Sequence, residues 1–143
     1  MTAYTPYLAL GLTGDQVIEL FADPALQRRW DDLPVAFSIL GIERLDPTVR
    51  STATLEATTA AVALLAATER TRVLAPVGFS RDHPYNLARR SASAGHLSRG
   101  RFGLIFGGVS THSAPGEPWL TDEVEPAKAL ADGVDAVREL EQS

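Results

Sequence analysis

A chain of 143 residues with 45% hydrophobic and 22% charged residues has the size and balance of one packed domain. A net charge of −5 gives no electrostatic footprint for a phosphate backbone, which argues against nucleic acid as the main partner. With zero cysteines, disulfides, thiolate metal sites and cysteine nucleophiles are excluded together.

No apolar run approaches the roughly 20 residues that a membrane-spanning helix needs. The opening, Met1 to Pro6, places no basic residue before its apolar stretch, which argues against a secretory signal. The expectation is therefore a cytoplasmic protein without membrane contact.

Four repeats of one pattern follow, each a short apolar run and then an amphipathic helix. The first run is Tyr7 to Leu12. Thr13 and Gln16 have capping-box spacing, and Val17, Leu20 and Phe21 then form one helical face. The helix fades near Asp23-Pro24 and resumes through Trp30 before Pro34. The second run, Val35 to Ile42, ends in the loop around Asp46-Pro47. An alanine-rich helix spans Leu55 to Glu69, with Leu55, Thr59, Val62, Leu65 and Ala66 at helical spacing.

The third run is Val73 to Phe79. Asp82 is the expected N-cap of the next helix, with Pro84 in the first turn and the body from Tyr85 to about Leu97. Gly100 interrupts, and Phe102 to Val109 reads as the fourth strand. A loop rich in proline and glycine, Ser110 to Leu120, leads to a last helix. It starts near Asp122 to Pro126, runs to about Leu140, and buries Leu130, Val134 and Val137. No linker or low-complexity stretch divides residues 1–143, so one domain is expected.

This alternation implies parallel strands joined by right-handed crossovers, with both faces of the strands covered. Four such units make either an open doubly wound sheet or half of an eight-stranded barrel. Periodicity does not choose between them.

The stretch from Thr54 to Ser110 carries a more specific signal. It combines Leu55-Glu56 at a helix start, the segment HPYNLARR from His83 to Arg90, and His96-Leu97-Ser98-Arg99-Gly100-Arg101 before a strand. Together these resemble the luciferase-like flavin-dependent monooxygenase family, in particular the branch acting on sulfonated or chelating small molecules. The resemblance implies an α/β fold of four β/α units, the amino-terminal half of a TIM barrel with a parallel sheet and covering helices. It also implies FMN, or alternatively the deazaflavin F420, at the carboxyl ends of the strands. The chain departs from that family at Leu104-Ile105, where a Trp-Asn pair is common, and at Gly95, where an acidic residue precedes His-Leu-Ser.

Candidate site residues lie at those strand ends. Gly107 and Gly108 end the fourth run, where a missing side chain lets a backbone approach a flat ring or phosphate; a plain turn is the alternative. His83, Tyr85 and Asn86 open the helix after the third run, where a partly positive helix N-terminus suits an anion or a polar ring edge. They equally suit capping and packing. Ser80 and Asp46 occupy equivalent loops. The assignment is His83 and Tyr85 as catalytic, with Asp46, Ser80, Asn86, Gly107 and Gly108 holding cofactor.

His96 is expected to tie a helix end to the next strand, and His112 to be solvated. No histidine pair has helical metal-ligand spacing, so no metal is expected. Ser91-Ala92-Ser93-Ala94-Gly95 lacks the first glycine of a nucleophile elbow. Arg89, Arg90, Arg99 and Arg101 read as a solvated basic face, and Trp30 and Trp119 as core or interface residues.

The function these features support is a flavin-dependent oxidoreductase or monooxygenase acting on a small organic substrate, with reduced activity. The alternatives are a non-catalytic flavin-binding or partner subunit, and a cofactor-free isomerase or cyclase on the same scaffold. A half-barrel has two free strand edges and an uncovered concave face, so a homodimer is expected. A flavin reductase or a second half-barrel subunit are the other candidate partners.

Overall fold

The computed structural model describes residues 7–46, 48–78, 82–106 and 126–143. Four short strands, β1 (Ala9–Leu12), β2 (Phe37–Leu40), β3 (Val73–Val77) and β4 (Phe102–Phe106), form one parallel sheet in the order β1-β2-β3-β4. Between them run α1 (Gly14–Ala22), α2 (Pro24–Asp31), α3 (Ala57–Ala67) and α4 (Pro84–Leu97), and α5 (Pro126–Glu141) follows β4. A single 3₁₀ turn, Ile42–Arg44, leaves the end of β2.

Strand order decides between the two architectures left open by the sequence. In a doubly wound sheet the order reverses and helices cover both faces. Here every crossover advances to the next strand, and right-handed crossovers all made in one direction put the helices on one face. The register confirms which face that is. Leu12, Leu40, Val73 and Ala75 point into one core with Val17 and Leu20 of α1 and Ala57, Ala60, Ala61, Leu64 and Leu65 of α3. A second cluster joins Val77 to Leu87 and Ala88 of α4 and Val137 of α5. The arrangement is four β/α units of a half-barrel. The expectation that both strand faces would be covered does not hold for the described helices, which leave one face to the barrel interior.

That inner face carries the alternate residues: Ala9 and Gly11, Phe37 and Ile39, Leu74 and Pro76, Gly103 and Ile105. Two of its glycines lie under neighbouring side chains. A Cβ on Gly11 would run into the Ile42 side chain, and one on Gly103 would stand 2.8 Å from Leu74 Cδ2. Pro76 sits in an interior strand, yet β2 pairs with β3 only through Ser38–Val73 and Ile39–Leu74. The missing N–H of Pro76 therefore interrupts no ladder that continues on that side.

The ends of the sheet are stitched by side chains. At the N-terminal end of the strands, Asp31 at the close of α2 accepts hydrogen bonds from the backbone N–H of Glu69, Arg70 and Thr71 and from the Thr71 hydroxyl. Arg101, just before β4, donates to the carbonyls of Leu65, Thr71 and Ser98 and to Thr68 Oγ1. This corrects the reading of Arg101 as part of a solvated basic face: its guanidinium closes the end of α3. Trp30 does join the core, and its indole N–H donates to the buried Ser38 hydroxyl at 2.8 Å.

Two further corrections concern α4. Its N-cap is His83, not Asp82. The His96 side chain is exposed; Ser98 and Arg101 make the link into β4, through bonds of Ser98 Oγ to Gly95 O and of Arg101 N to Ser98 Oγ.

Candidate functional site at the strand carboxyl ends

In a barrel of this kind the ligand end is the carboxyl end of the strands, where each loop enters the following helix. Of the residues assigned to the site, Asp46, His83, Tyr85 and Asn86 lie at this end. Ser80, Gly107 and Gly108 fall outside the described residues.

Asp46 follows the 3₁₀ turn and is exposed. Its carboxylate accepts from the N–H of Thr48 at 2.9 Å and from the Thr48 hydroxyl at 2.7 Å, a closed local turn. Those two bonds, the hydroxyl first, hold its carboxyl below the usual carboxylate range. His83 accepts the Tyr85 N–H on Nδ1 at 3.2 Å, so its side chain caps α4. Tyr85 is 48% exposed and lies along the helix beneath Arg89, whose guanidinium carbon is 5.7 Å from the ring centroid. The Tyr85 hydroxyl also accepts from Arg89 Nη1. Asn86 is exposed one residue further on. The structure thus brings His83, Tyr85 and Asn86 together at one helix start, while Asp46 stands on a separate loop engaged with its own neighbours.

The helix N-termini at this end are largely filled by the chain itself. Thr13 and Gln16 form the capping box of α1, and both Glu43 carboxylate oxygens accept from Gly14 N–H at 3.2 Å. Asp15 takes the N–H groups of Thr52 and Ala53, which, with Thr52 the larger cause, lower its pKa. Glu56 caps α3 through the N–H and hydroxyl groups of Thr58 and Thr59. Burial pushes the Glu56 carboxyl up, but those four donors outweigh it and bring the pKa down to about 2. A phosphate has no vacant N-terminus at α1 or α3. Among the described N-terminal caps, that of α4 is an imidazole nitrogen and not a carboxylate.

Sequence reading missed Arg44. It sits in the 3₁₀ turn, half-buried, with Nη2 donating to Leu55 O at 2.6 Å. Its Nε–H is buried and has no acceptor among the described residues. A buried, unsatisfied guanidinium donor is costly, so the position favours any acceptor brought to it. The available signal was an arginine two residues past the second apolar run, inside a loop already marked as ligand-facing.

A groove of about 580 Å³ lies elsewhere, between α3 and α4 on the outer helical layer, lined in part by Glu56, Val62, Arg89, Ser93 and Leu97. It does not open on the inner sheet face. Among the described residues no group of three histidine, cysteine or carboxylate side chains is placed to hold a metal, and no helix is long and apolar enough to cross a membrane.

The class these features define is a parallel half-barrel with an apolar inner face and a polar rim at its strand ends. The described rim holds no assembled phosphate cradle. No protein-family model and no curated protein sequence matches the chain. Solved structures do. The EDTA monooxygenase EmoA from Chelativorans sp. BNC1 superposes with a TM-score of 0.70 at 18% identity, over 94% of this chain and 38% of that one. Riboflavin lyase RcaE, solved with modified FMN and its substrate riboflavin, superposes with a TM-score of 0.62 at 22% identity, over 94% of this chain and 36% of that one. This chain therefore spans little more than a third of either enzyme. At such identities the likeness establishes the fold.

Proposed function

We propose that this chain is a flavin-binding oxidoreductase unit, of the luciferase-like kind, that works on a small organic substrate. The observation that supports it best is the shared fold with RcaE, a structure that holds a modified FMN. The inner face supports the reading further, because Ile39, Leu74 and Ile105 give it apolar surface against which a ring can lie. FMN is the preferred cofactor, with F420 the alternative, since both present a planar tricycle.

When bound, the flavin supplies the redox chemistry, and the protein supplies binding, orientation and exclusion of water. Ile39, Leu74 and Ile105 form the apolar floor. Asn86 and the α4 N-terminus offer polar contacts at the rim, and Arg44 Nε–H offers one unsatisfied donor. Gly107 and Gly108 stay in the proposal as the close-approach backbone after β4, and Ser80 as a rim hydroxyl.

A second reading is favoured by one specific observation. His83, the first choice for proton transfer, uses its Nδ1 lone pair to cap α4. A histidine so engaged fits a flavin carrier or partner subunit better than a general base.

The test is a visible spectrum of the purified chain after incubation with FMN or F420 and gel filtration. Retained flavin absorbance is expected; a protein that retains neither overturns both readings and favours a cofactor-free enzyme. Turnover supplied by a flavin reductase then separates enzyme from carrier.

A further inference from the structure

We infer that Ile42 is a specificity-determining residue of the candidate site: it stands as an apolar stop over β1, against which the benzenoid edge of a bound flavin lies. The ligand rests on the flavin reading; the geometry rests on contacts between residues 11 and 55 alone.

Gly11 is the last inner-face residue of β1, and a Cβ there would run into Ile42 Cγ2, with Ile42 Cδ1 and Cβ at 3.5 and 3.6 Å. The Ile42 side chain therefore fills, over β1, the space that a strand side chain would take. It is supplied by the 3₁₀ turn after β2 and not by β1 itself. Three bonds fix that turn. Gly41, at φ +88, takes a left-handed conformation open to glycine, and its N–H donates to Leu12 O at 2.7 Å. The Glu43 carboxylate accepts from Gly14 N–H, at 3.2 Å to each oxygen. Arg44 Nη2 donates to Leu55 O at 2.6 Å. The two charged side chains of the turn are thus drawn to the start of α1 and to the residues before α3. Ile42 is left over the inner face. Its β-branched side chain has little rotamer freedom, and a turn held at three points cannot carry it clear.

The polar groups lie on the other side. His83, Tyr85 and Asn86 open α4 beyond the end of β3, beside the N–H groups of that helix start. Asp46, which follows the turn, is engaged with Thr48. Gly11, Ile39 and Leu74 form one row across β1, β2 and β3. Two strand spacings, about 10 Å, are on the order of the length of a fused tricyclic ring. A ring along that row meets Ile42 at one end and the start of α4 at the other. An isoalloxazine has one apolar edge, its dimethylbenzene, and one polar edge, its pyrimidinedione. Matching polar to polar sets the dimethylbenzene edge against Ile42, which offers a carbonyl no donor. A deazaflavin of the F420 type carries a hydroxyl on that edge, which Ile42 leaves unpaired. The turn therefore favours FMN over F420.

Riboflavin and 8-hydroxy-5-deazariboflavin isolate this edge, because they share the ribityl chain and differ in the ring alone. The parent should bind riboflavin more tightly. Ile42→Asn, which offers an amide there, should shift the ratio of dissociation constants towards the 8-hydroxy compound by about tenfold. An unchanged ratio overturns the inference. The chain has no cysteine, so Ile42→Cys provides a unique thiol. Saturating FMN should slow its alkylation by iodoacetamide, and should leave a Val62→Cys thiol on the outer helical layer unaffected. A thiol at position 42 that stays unprotected in a chain retaining FMN also overturns the inference. The geometry has a test without ligand. Gly11→Ala should lower the urea midpoint, and lower it less in a chain that already carries Ile42→Ala, where the added methyl has room. Additive shifts would show that Ile42 does not cover Gly11 and overturn the inference even where flavin is retained. A parent that retains no flavin overturns the flavin reading and the selectivity with it, while the double-mutant cycle still reports the position of Ile42.

Discussion

Asp31 accepts four hydrogen bonds against two for Asp46, and has no part in the site. Burial pushes its pKa up, but the N–H groups of Arg70, Glu69 and Thr71 and the Thr71 hydroxyl outweigh burial and bring it to about 2 from an ordinary 3.8. A carboxyl depressed in the folded state stabilises the protein above its unfolded pKa. That contribution is whole above about pH 5 and is lost as the pH falls through 3.8 towards 2. Asp31→Asn should therefore cost about 1–2 kcal/mol at pH 7, allowing for solvent screening, because an amide cannot accept on both atoms. The same variant should flatten the acid limb of the stability curve. Urea midpoints between pH 2 and 7 check this, and a variant that keeps the parent's full acid dependence would show that another group controls it. Arg101 makes the matching case with a cation. Arg101→Met should lose about 1–3 kcal/mol by orphaning the carbonyls of Leu65 and Thr71. Arg101→Lys should restore only a fraction, since an ammonium cannot reproduce the fork. Because both residues sit at the N-terminal end of the strands, neither change should alter ligand retention at the opposite end.

At the scale of elements, α3 shows where sequence patterning runs out. Its spacing pointed to Leu55, Thr59, Val62, Leu65 and Ala66 as one face, yet Thr59, Val62 and Ala66 are exposed, Val62 by 39%, while Ala57, Ala60, Ala61 and Leu64 are buried. Alanine populates every side of this helix, so no apolar stripe distinguishes inside from outside. Leu65 was placed correctly and is 4% exposed. Leu65→Ala should cost about 2–5 kcal/mol, and Val62→Ala, on the outer face, less than about 0.5 kcal/mol. Equal shifts in denaturation midpoint would mean that α3 is rotated from the position described. Elements with charged residues between their apolar ones were legible: α1 with its Thr13–Gln16 capping box, and α5 with Val134 and Val137 inward. Asp82 lost the cap of α4 to His83 because two acceptors stood side by side before Pro84, and Asp82 pairs instead with Arg90 at 2.8 Å. The candidate site was less legible than the fold. Arg44 and the self-filled helix N-termini depend on contacts such as Glu43 to Gly14, 29 residues apart, which no local pattern records.

For the whole molecule, the one-sided sheet decides more than any single contact. A sheet with helices on one face and an apolar floor on the other leaves that floor without a cover among the described residues. If a second copy supplies it, folding and association are linked, and stability depends on protein concentration. The melting temperature should then rise as concentration is raised over two decades, because mass action favours the associated folded state. Amide exchange should follow the same logic. The interior strands β2 and β3 should be protected at every concentration, while β1 and β4 should gain protection only as the associated form is populated. Ile105→Lys should remove both dependences together, since it places a charge on the inner face of the edge strand β4. A melting temperature independent of concentration, with β1 and β4 as protected as β2 and β3, would require an edge cover from within the same chain. Concentration-dependent melting with permanently labile edges would place the contact on the helical layer instead. The two readouts together therefore locate the stabilising surface without reference to any ligand.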